Sequence, residues 1–291
     1  MRVALDLLGG DHAPDAVIDG ALLAVDRDPA VEVILVGPPA VAAALLEARG
    51  AALPVVPATE SVAMDEDPAR GVRAKKDATV RTIHKLVRDG LADAAVSVGP
   101  TGAVLAGAVL TLGRLSPRPA VAVVVPTPTG PLVLLDAGAT SESTPEQLLA
   151  HAVLGAAYAE VLGVVAPRVG LLNVGSEAGK GDQLRKDAFA LLEQAPIRFV
   201  GNVEGHDVPH GGPADVVVTD GFTGNVLLKA VEAASREELP RSALLLGVDG
   251  ITVVGHGASQ AEDVAACVAH AARIASEGLL DALRTALGAV A

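Results

Sequence analysis

Eight short runs rich in Val, Ile and Leu alternate with longer stretches of Ala, Leu and charge, and this alternation constrains the fold more than any other feature. The runs fall at residues 3–9, 31–37, 53–58, 93–99, 168–175, 197–202, 214–220 and 251–255. Most close on glycine, and several are apolar without a break. A continuous apolar run suits a parallel strand covered on both faces, because neither face can then be polar. Helical patterns lie between them near 14–27, 38–49, 68–89, 101–113, 144–163, 182–194, 222–238 and 258–287. Pro14, Pro38, Pro68, Pro145 after Thr144, and Ser259 stand where helices open. The class is therefore α/β: a mostly parallel sheet flanked by helices.

One stretch departs from the pattern. Residues 121–138 put two β runs on either side of Thr127-Pro128-Thr129-Gly130, with no room for a helix. That spacing predicts a hairpin, hence an antiparallel insert. No repeat or low-complexity linker marks a boundary. The chain reads as one α/β domain over residues 1–291, with 115–140 the place where a subdivision would fall.

Composition narrows the partners. Aromatic residues make up 1% of the chain, so the core is packed from Ala, Val and Leu, and a base-stacking platform has almost nothing to use. A formal net charge of −13 opposes binding to phosphate backbones or anionic headgroups except at a local basic patch. Nucleic acid is thus excluded as a partner. A single cysteine, Cys267, rules out an internal disulfide and a multi-cysteine zinc site, which suits a cytoplasmic location. The N-terminus reads as a first strand rather than a signal peptide. The uncharged run 94–113 is cut by Gly99-Pro100-Thr101-Gly102 into a strand and a helix, too short for a membrane span.

Nearly every strand ends in glycine plus a polar residue. These turns contain Gly10, Asp11 and His12; Ser97, Gly99, Thr101 and Gly102; Asp136; Asn173; Asn202; Asp220, Thr223, Gly224 and Asn225; and His256. Glycine alone makes tight strand-to-helix turns. Repeated at six or seven strand ends, it also lets backbone N–H groups and helix N-termini gather round an anion at the carboxyl edge of a parallel sheet. Lys180 and Lys229 are lysines near such loops, though each also suits a solvated surface. Residues 67–90 carry Arg70, Arg73, Lys75, Lys76, Arg81, Lys85 and Arg88. The run is either a salt-bridged helix face or a dock for an acidic partner. Cys267, His84 and His270 sit in helix patterns and read as core. No Walker loop, dinucleotide fingerprint, nucleophile elbow or metalloprotease pair is present.

Taken in order, "DLLGGDHAPDAVIDGALLA", "DPARGVRAKKDA", "SVGPTGAVLAGA", "RPAVAVVVPT", "LLDAGA", "PRVGLLNVGSEAGKG", "FVGNVEGHDV", "ADVVVTDGFTGNVLLK" and "LLGVDGITVVGHGAS" resemble the bacterial acyl-ACP:phosphate acyltransferases, the PlsX family, over almost the whole chain. The resemblance implies an architecture like isocitrate and isopropylmalate dehydrogenases and a homodimer. It implies transfer of a fatty acyl group from acyl carrier protein to inorganic phosphate, giving acyl phosphate for phospholipid synthesis, with no metal or nucleotide cofactor. Phosphate is itself the nucleophile, so the protein has to hold it and stabilise the oxyanion that develops. The turn at 97–102 is the expected cradle, completed by Lys180, Asn225 and Gly224. His12 is the proton donor, and Lys75 and Lys76 meet the carrier or its phosphate. Two further readings stay open: a relative redirected to another acyl carrier or acceptor, and a non-catalytic carrier-binding protein.

The chain departs from the family pattern at Pro100 and Thr140, where asparagine is usual, and at Ala78 in place of serine. Its passage through residues 226–247 is also short, where the family has a long helical excursion tied to subunit packing and membrane attachment. With Glu232, Glu237 and Glu238 in that passage, weak membrane association is expected.

Overall fold

The computed structural model describes residues 1–63, 65–234 and 241–289. Strand and helix alternate from the start: β1 (Arg2–Asp6), α1 (Asp15–Arg27), β2 (Glu32–Gly37), α2 (Pro39–Ala48), β3 (Val55–Pro57), α3 (Pro68–Ala74), α4 (Thr79–Arg88), β4 (Ala94–Ser97) and α5 (Thr101–Thr111). The middle of the chain forms β5 (Ala120–Thr127), β6 (Gly130–Leu135), α6 (Pro145–Val161), β7 (Arg168–Asn173), α7 (Gln183–Leu192), β8 (Arg198–Glu204), α8 (Asp207–His210), β9 (Val216–Val218) and α9 (Gly221–Ala234). It closes with β10 (Ser242–Leu246), β11 (Ile251–Gly255), α10 (Ala261–Ser276) and α11 (Leu279–Gly288).

The chain forms two compact units, Met1–Gly113 with Val248–Glu277, and Arg114–Gly247 with Gly278–Ala291. In the first, the strand order is β3-β2-β1-β4-β11, and every pairing is parallel. Val3, Ala4 and Leu5 have no exposed surface, as the unbroken apolar run requires. Ile83 and Leu86 of α4 pack with Ala4, Ile34 and Ala95. α1 meets α10 at Gly20, where a Cβ would stand 2.5 Å from that of Val264, so only glycine permits this approach.

In the second unit the order is β10-β5-β6-β9-β7-β8. β5 pairs antiparallel with β6 through the expected hairpin and with β10, while β6-β9, β9-β7 and β7-β8 are parallel. α6 begins with a capping box, Thr144 and Gln147 exchanging hydrogen bonds, and buries Leu148, Leu154 and Tyr158. The α/β class with an antiparallel hairpin is thus present.

Three details differ from the periodicity. The helix expected over 68–89 is two helices, because the Asp77 carboxylate accepts from the N–H (2.8 Å) and hydroxyl (2.7 Å) of Thr59, and Thr79 N–H donates to the Glu60 carbonyl (2.9 Å). That lateral pairing draws residues 75–78 out of helical geometry. The helix expected over 258–287 breaks at Gly278, whose φ of 74° a helix interior cannot use. Residues 242–246 form a strand that the sequence reading placed in a helix and turn. The proline turn expected before it, with Glu237 and Glu238, lies outside the described residues.

Candidate functional site

β1 and β4 are neighbours, with Leu5 opposite Val96, so Asp6 and Ser97 end the two strands side by side. Ser97 donates to Asp6 Oδ2 (2.8 Å) and accepts from the Gly99 N–H (3.1 Å), while the Leu8 N–H donates to Asp6 Oδ1 (3.1 Å). Ser97 is fully buried, so its hydroxyl joins the two turns. Burial pushes the Asp6 carboxyl above its usual range. Hydrogen bonds from the Thr79 and Ser97 side chains and from the backbone at Leu8 and Gly9 offset only part of that effect. The turns touch at Gly9, where a Cβ would lie 2.8 Å from Gly99 N and 2.8 Å from Ser97 Oγ. Gly10 follows at φ 95°, and the Asp11 N–H donates to the Gly257 carbonyl (2.8 Å), tying in the turn after β11.

These contacts frame a cavity of about 150 Å³ lined by Leu8, Gly10, Asp11, residues 61–63, Gly99 and Pro100. The α5 helix starts there with Pro100 at its N-cap and no side-chain cap. Gly102 lets this first turn sit against Pro68, 2.8 Å from where a Cβ would be. Thr101 is half-buried at the helix start, and His12 is exposed in the neighbouring turn. His256, also exposed, accepts at Nδ1 from the Ala258 N–H (3.1 Å).

The two lysines differ. Lys75 Nζ is held by Glu66 (2.5 Å) and the Ser61 carbonyl (2.7 Å), whereas Lys76 projects from the surface, as do Arg70 and Arg73. Cys267 and His84 are buried as the core reading expects, whereas His270 is only partly buried on α10. Burial pushes the Cys267 thiol up to about 12, and burial lowers the imidazoles of His84 and His270 to about 4.

In the second unit the Asp136 carboxylate, fully buried at the end of β6, organises its turn. Oδ1 accepts from the N–H groups of Val121 (3.0 Å), Gly138 (3.0 Å) and Ala139 (2.8 Å). Oδ2 accepts from the Thr140 N–H (3.0 Å) and hydroxyl (2.9 Å). Thr140, a departure from the family pattern, thus supports this carboxylate. The α9 helix starts against the same turn: a Cβ on Gly224 would meet the Asp136 carbonyl oxygen, and Asn225 Nδ2 donates to the Ala137 carbonyl (3.0 Å).

Asp220 accepts from the Thr223 N–H (2.9 Å) and hydroxyl (2.8 Å) as a helix cap would, and from Arg185. Burial tends to raise its carboxyl, but these donors and the charge of Arg185 outweigh burial and hold it low. Asn173 Nδ2 donates to the Lys180 carbonyl (3.1 Å), and Asn202 Nδ2 donates to the Glu177 carbonyl (2.8 Å). Both amides therefore pin the 174–181 loop, on which Lys180 stands half-exposed, 3.9 Å from Glu177.

The residues expected to bind or react thus fall into two sets. His12, Ser97, Thr101, Lys75, Lys76 and His256 belong to the first unit; Asp136, Asn173, Lys180, Asn202, Asp220, Thr223 and Asn225 belong to the second. Arg185 escaped the sequence reading. It is a mostly buried guanidinium that reaches Asp182 (2.9 Å), Asp220 and the hydroxyls of Thr219 and Thr223 (3.2 Å each). A lone arginine in an amphipathic helix gives no motif. Its only signal was the N-cap Asp182 three residues earlier.

A family profile described as "Fatty acid synthesis protein" matches residues 1–239. The phosphate acyltransferase of Desulfitobacterium hafniense (strain DSM 10664 / DCB-2) is 38% identical over 327 aligned positions, covering 99% of this chain and 98% of the relative. That alignment is longer than this chain, so the relative carries segments that are missing here. The phosphate acyltransferase of Heliobacterium modesticaldum is 41% identical, covering 96% and 94%, and that of Brevibacillus brevis is 46% identical, covering 81% and 71%. Among solved structures, a phosphotransacetylase from Streptococcus pyogenes superposes with a TM-score of 0.70 at 19% identity, covering 97% and 94%. A 4-hydroxythreonine-4-phosphate dehydrogenase from Klebsiella pneumoniae gives 0.59 at 18%, covering 94% and 98%. At such identities the structures establish the shared α/β fold alone. The relatives and the profile establish more, and the chain belongs to the phosphate acyltransferase family.

Proposed function

We propose that this enzyme takes a fatty acyl group from the phosphopantetheine thioester of acyl carrier protein and passes it to inorganic phosphate, supplying acyl phosphate for phospholipid synthesis. The observation that carries this reading is the α5 N-terminus, free of a side-chain cap and opening at a glycine-lined cavity. Backbone N–H groups and the positive end of a helix attract a phosphate without requiring a lysine. Pro100 removes one N–H from this edge, which leaves Thr101 and Gly102 as the donors.

In the reaction a phosphate oxygen attacks the thioester carbon, the carbonyl oxygen becomes an oxyanion, and the C–S bond then breaks. The thiolate leaves and takes a proton, with His12 as its source. Because a thiolate leaves readily near neutral pH, that proton assists the step modestly. Within the second unit Lys180, Asn225 and the Gly224 backbone are the groups assigned to stabilising negative charge; Asp136, Asp220 and Arg185 fix the turns around Gly224 and Asn225, and Asn173 and Asn202 pin the loop of Lys180. The exposed Arg70, Arg73 and Lys76 receive the carrier. The enzyme acts as a cytoplasmic homodimer with little affinity for a bilayer; among the described residues no helix is long and apolar enough to cross a membrane.

The test is the thiol released from palmitoyl-ACP with and without inorganic phosphate, the product being trapped by hydroxylamine. Phosphate-dependent release with trapped acyl hydroxamate is expected. Release from acyl-coenzyme A but not from acyl-ACP would replace the carrier assignment.

A further inference from the structure

Within the second unit, Val174 (80% exposed), Phe222 (66%) and Val226 (56%) share the wall of one groove of about 690 Å³. Phe222, Val226 and Ala230 stand at i, i+4 and i+8 on α9 and so form a single stripe. The opposite side of the same helix buries Gly224 and Val231, with Leu227 and Leu228 against the core. α9 is therefore apolar toward the core and along the groove, while the exposed Lys229 stands at the far edge of the stripe. An outward apolar stripe on a surface helix signals a surface that meets something.

Charge identifies the occupant. The cation at the groove, Arg185, is already paired with Asp182 and Asp220, so the lining offers no unspent positive charge to a phosphate or an acidic peptide. An uncharged hydrocarbon suits such a wall, and the family reaction always carries an acyl group. The volume lies within the roughly 300–1,000 Å³ usual for small-molecule pockets. We propose that this groove seats the alkyl chain of the acyl donor. The assignment rests on the acyl-donor reading above and adds where the hydrocarbon lies.

The test reads binding without catalysis. Cis-parinaric acid, a fluorescent 18-carbon fatty acid, is titrated into the full-length protein and displaced by fatty acids of 8, 12 and 16 carbons. Longer chains should displace it more strongly, by up to about fourfold for each methylene that becomes buried. Val226→Glu and Ala230→Trp should each weaken the probe at least tenfold. Val165→Glu, at a residue 91% exposed and away from the groove, should leave binding unchanged. Unaltered binding in Val226→Glu would overturn the proposal. So would Val226→Glu shifting sedimentation from dimer to monomer with binding intact, since the groove would then be a contact between copies. Phosphate-dependent thiol release, measured in parallel on the unaltered enzyme, separates the two readings. Release without groove binding sinks the groove alone, whereas chain-length-dependent binding without release sinks the donor reading and leaves the groove standing.

Discussion

Asp136 shows how much one side chain can hold. Four backbone N–H groups and a hydroxyl converge on its buried carboxylate, and α9 packs on the turn they form. Asp136→Ala strands those donors, so a loss on the order of 3 kcal/mol or more is expected in urea unfolding. A change below about 1 kcal/mol would show that the turn holds without it. His84 contributes a pH dependence. Its ring, fully buried in α4 with Nδ1 at 2.6 Å from the Val80 carbonyl, has its folded value lowered by burial to about 4, below the 6.5 of an unfolded chain. Neutral burial therefore contributes fully above pH 6.5 and is lost as pH falls toward 4, by up to about 3 kcal/mol. Asp6, whose carboxyl is raised by burial, works in the opposite direction and offsets part of the loss. The check is NMR of the ring at pH 5.5, where His84 should remain neutral; titration near 6.5 would refute the assignment. At this scale the sequence was legible wherever a residue stood in a glycine turn. Arg185 was illegible because, beyond Asp182, its partners Thr219, Asp220 and Thr223 lie 34 to 38 residues along the chain.

Among elements, the parallel strands were readable from apolar runs and glycine. The interruption at residues 75–78 was not, because a break caused by lateral pairing with Thr59 and Glu60 leaves no mark on helical periodicity. The α4 helix that follows begins at Ala78, an N-cap with no side-chain hydrogen bond, at a position where serine is usual in the family pattern. Ala78→Ser would give the first turn an acceptor for one of its unpaired N–H groups. A gain of about 1 kcal/mol in chemical denaturation is expected. No gain, or a loss, would mean that this fully buried site has no room for the hydroxyl.

For the whole molecule, net charge sets the terms of encounter. At −13 the protein as a whole repels an acidic partner, and the exposed Arg70, Arg73 and Lys76 make the local basic patch proposed above to receive the carrier. Lys76→Glu should slow association with the carrier severalfold at low salt and flatten its salt dependence, with less effect on dissociation. Stopped-flow rates unchanged at low ionic strength would move the dock elsewhere.

The packing of the core from small aliphatic residues has a consequence for spectroscopy. Tyr158, Phe189, Phe199 and Phe222 are the chain's only aromatic residues, tryptophan is absent, and all four lie between Arg114 and Gly247. The first unit is optically silent in the near ultraviolet, while Tyr158, fully buried in α6, is the one intrinsic fluorophore of the second. Tyrosine emission followed during denaturation reports the second unit alone, and far-ultraviolet ellipticity reports both. Coincident transitions would show one cooperative unfolding; an ellipticity change without an emission change would isolate the melting of the dark half.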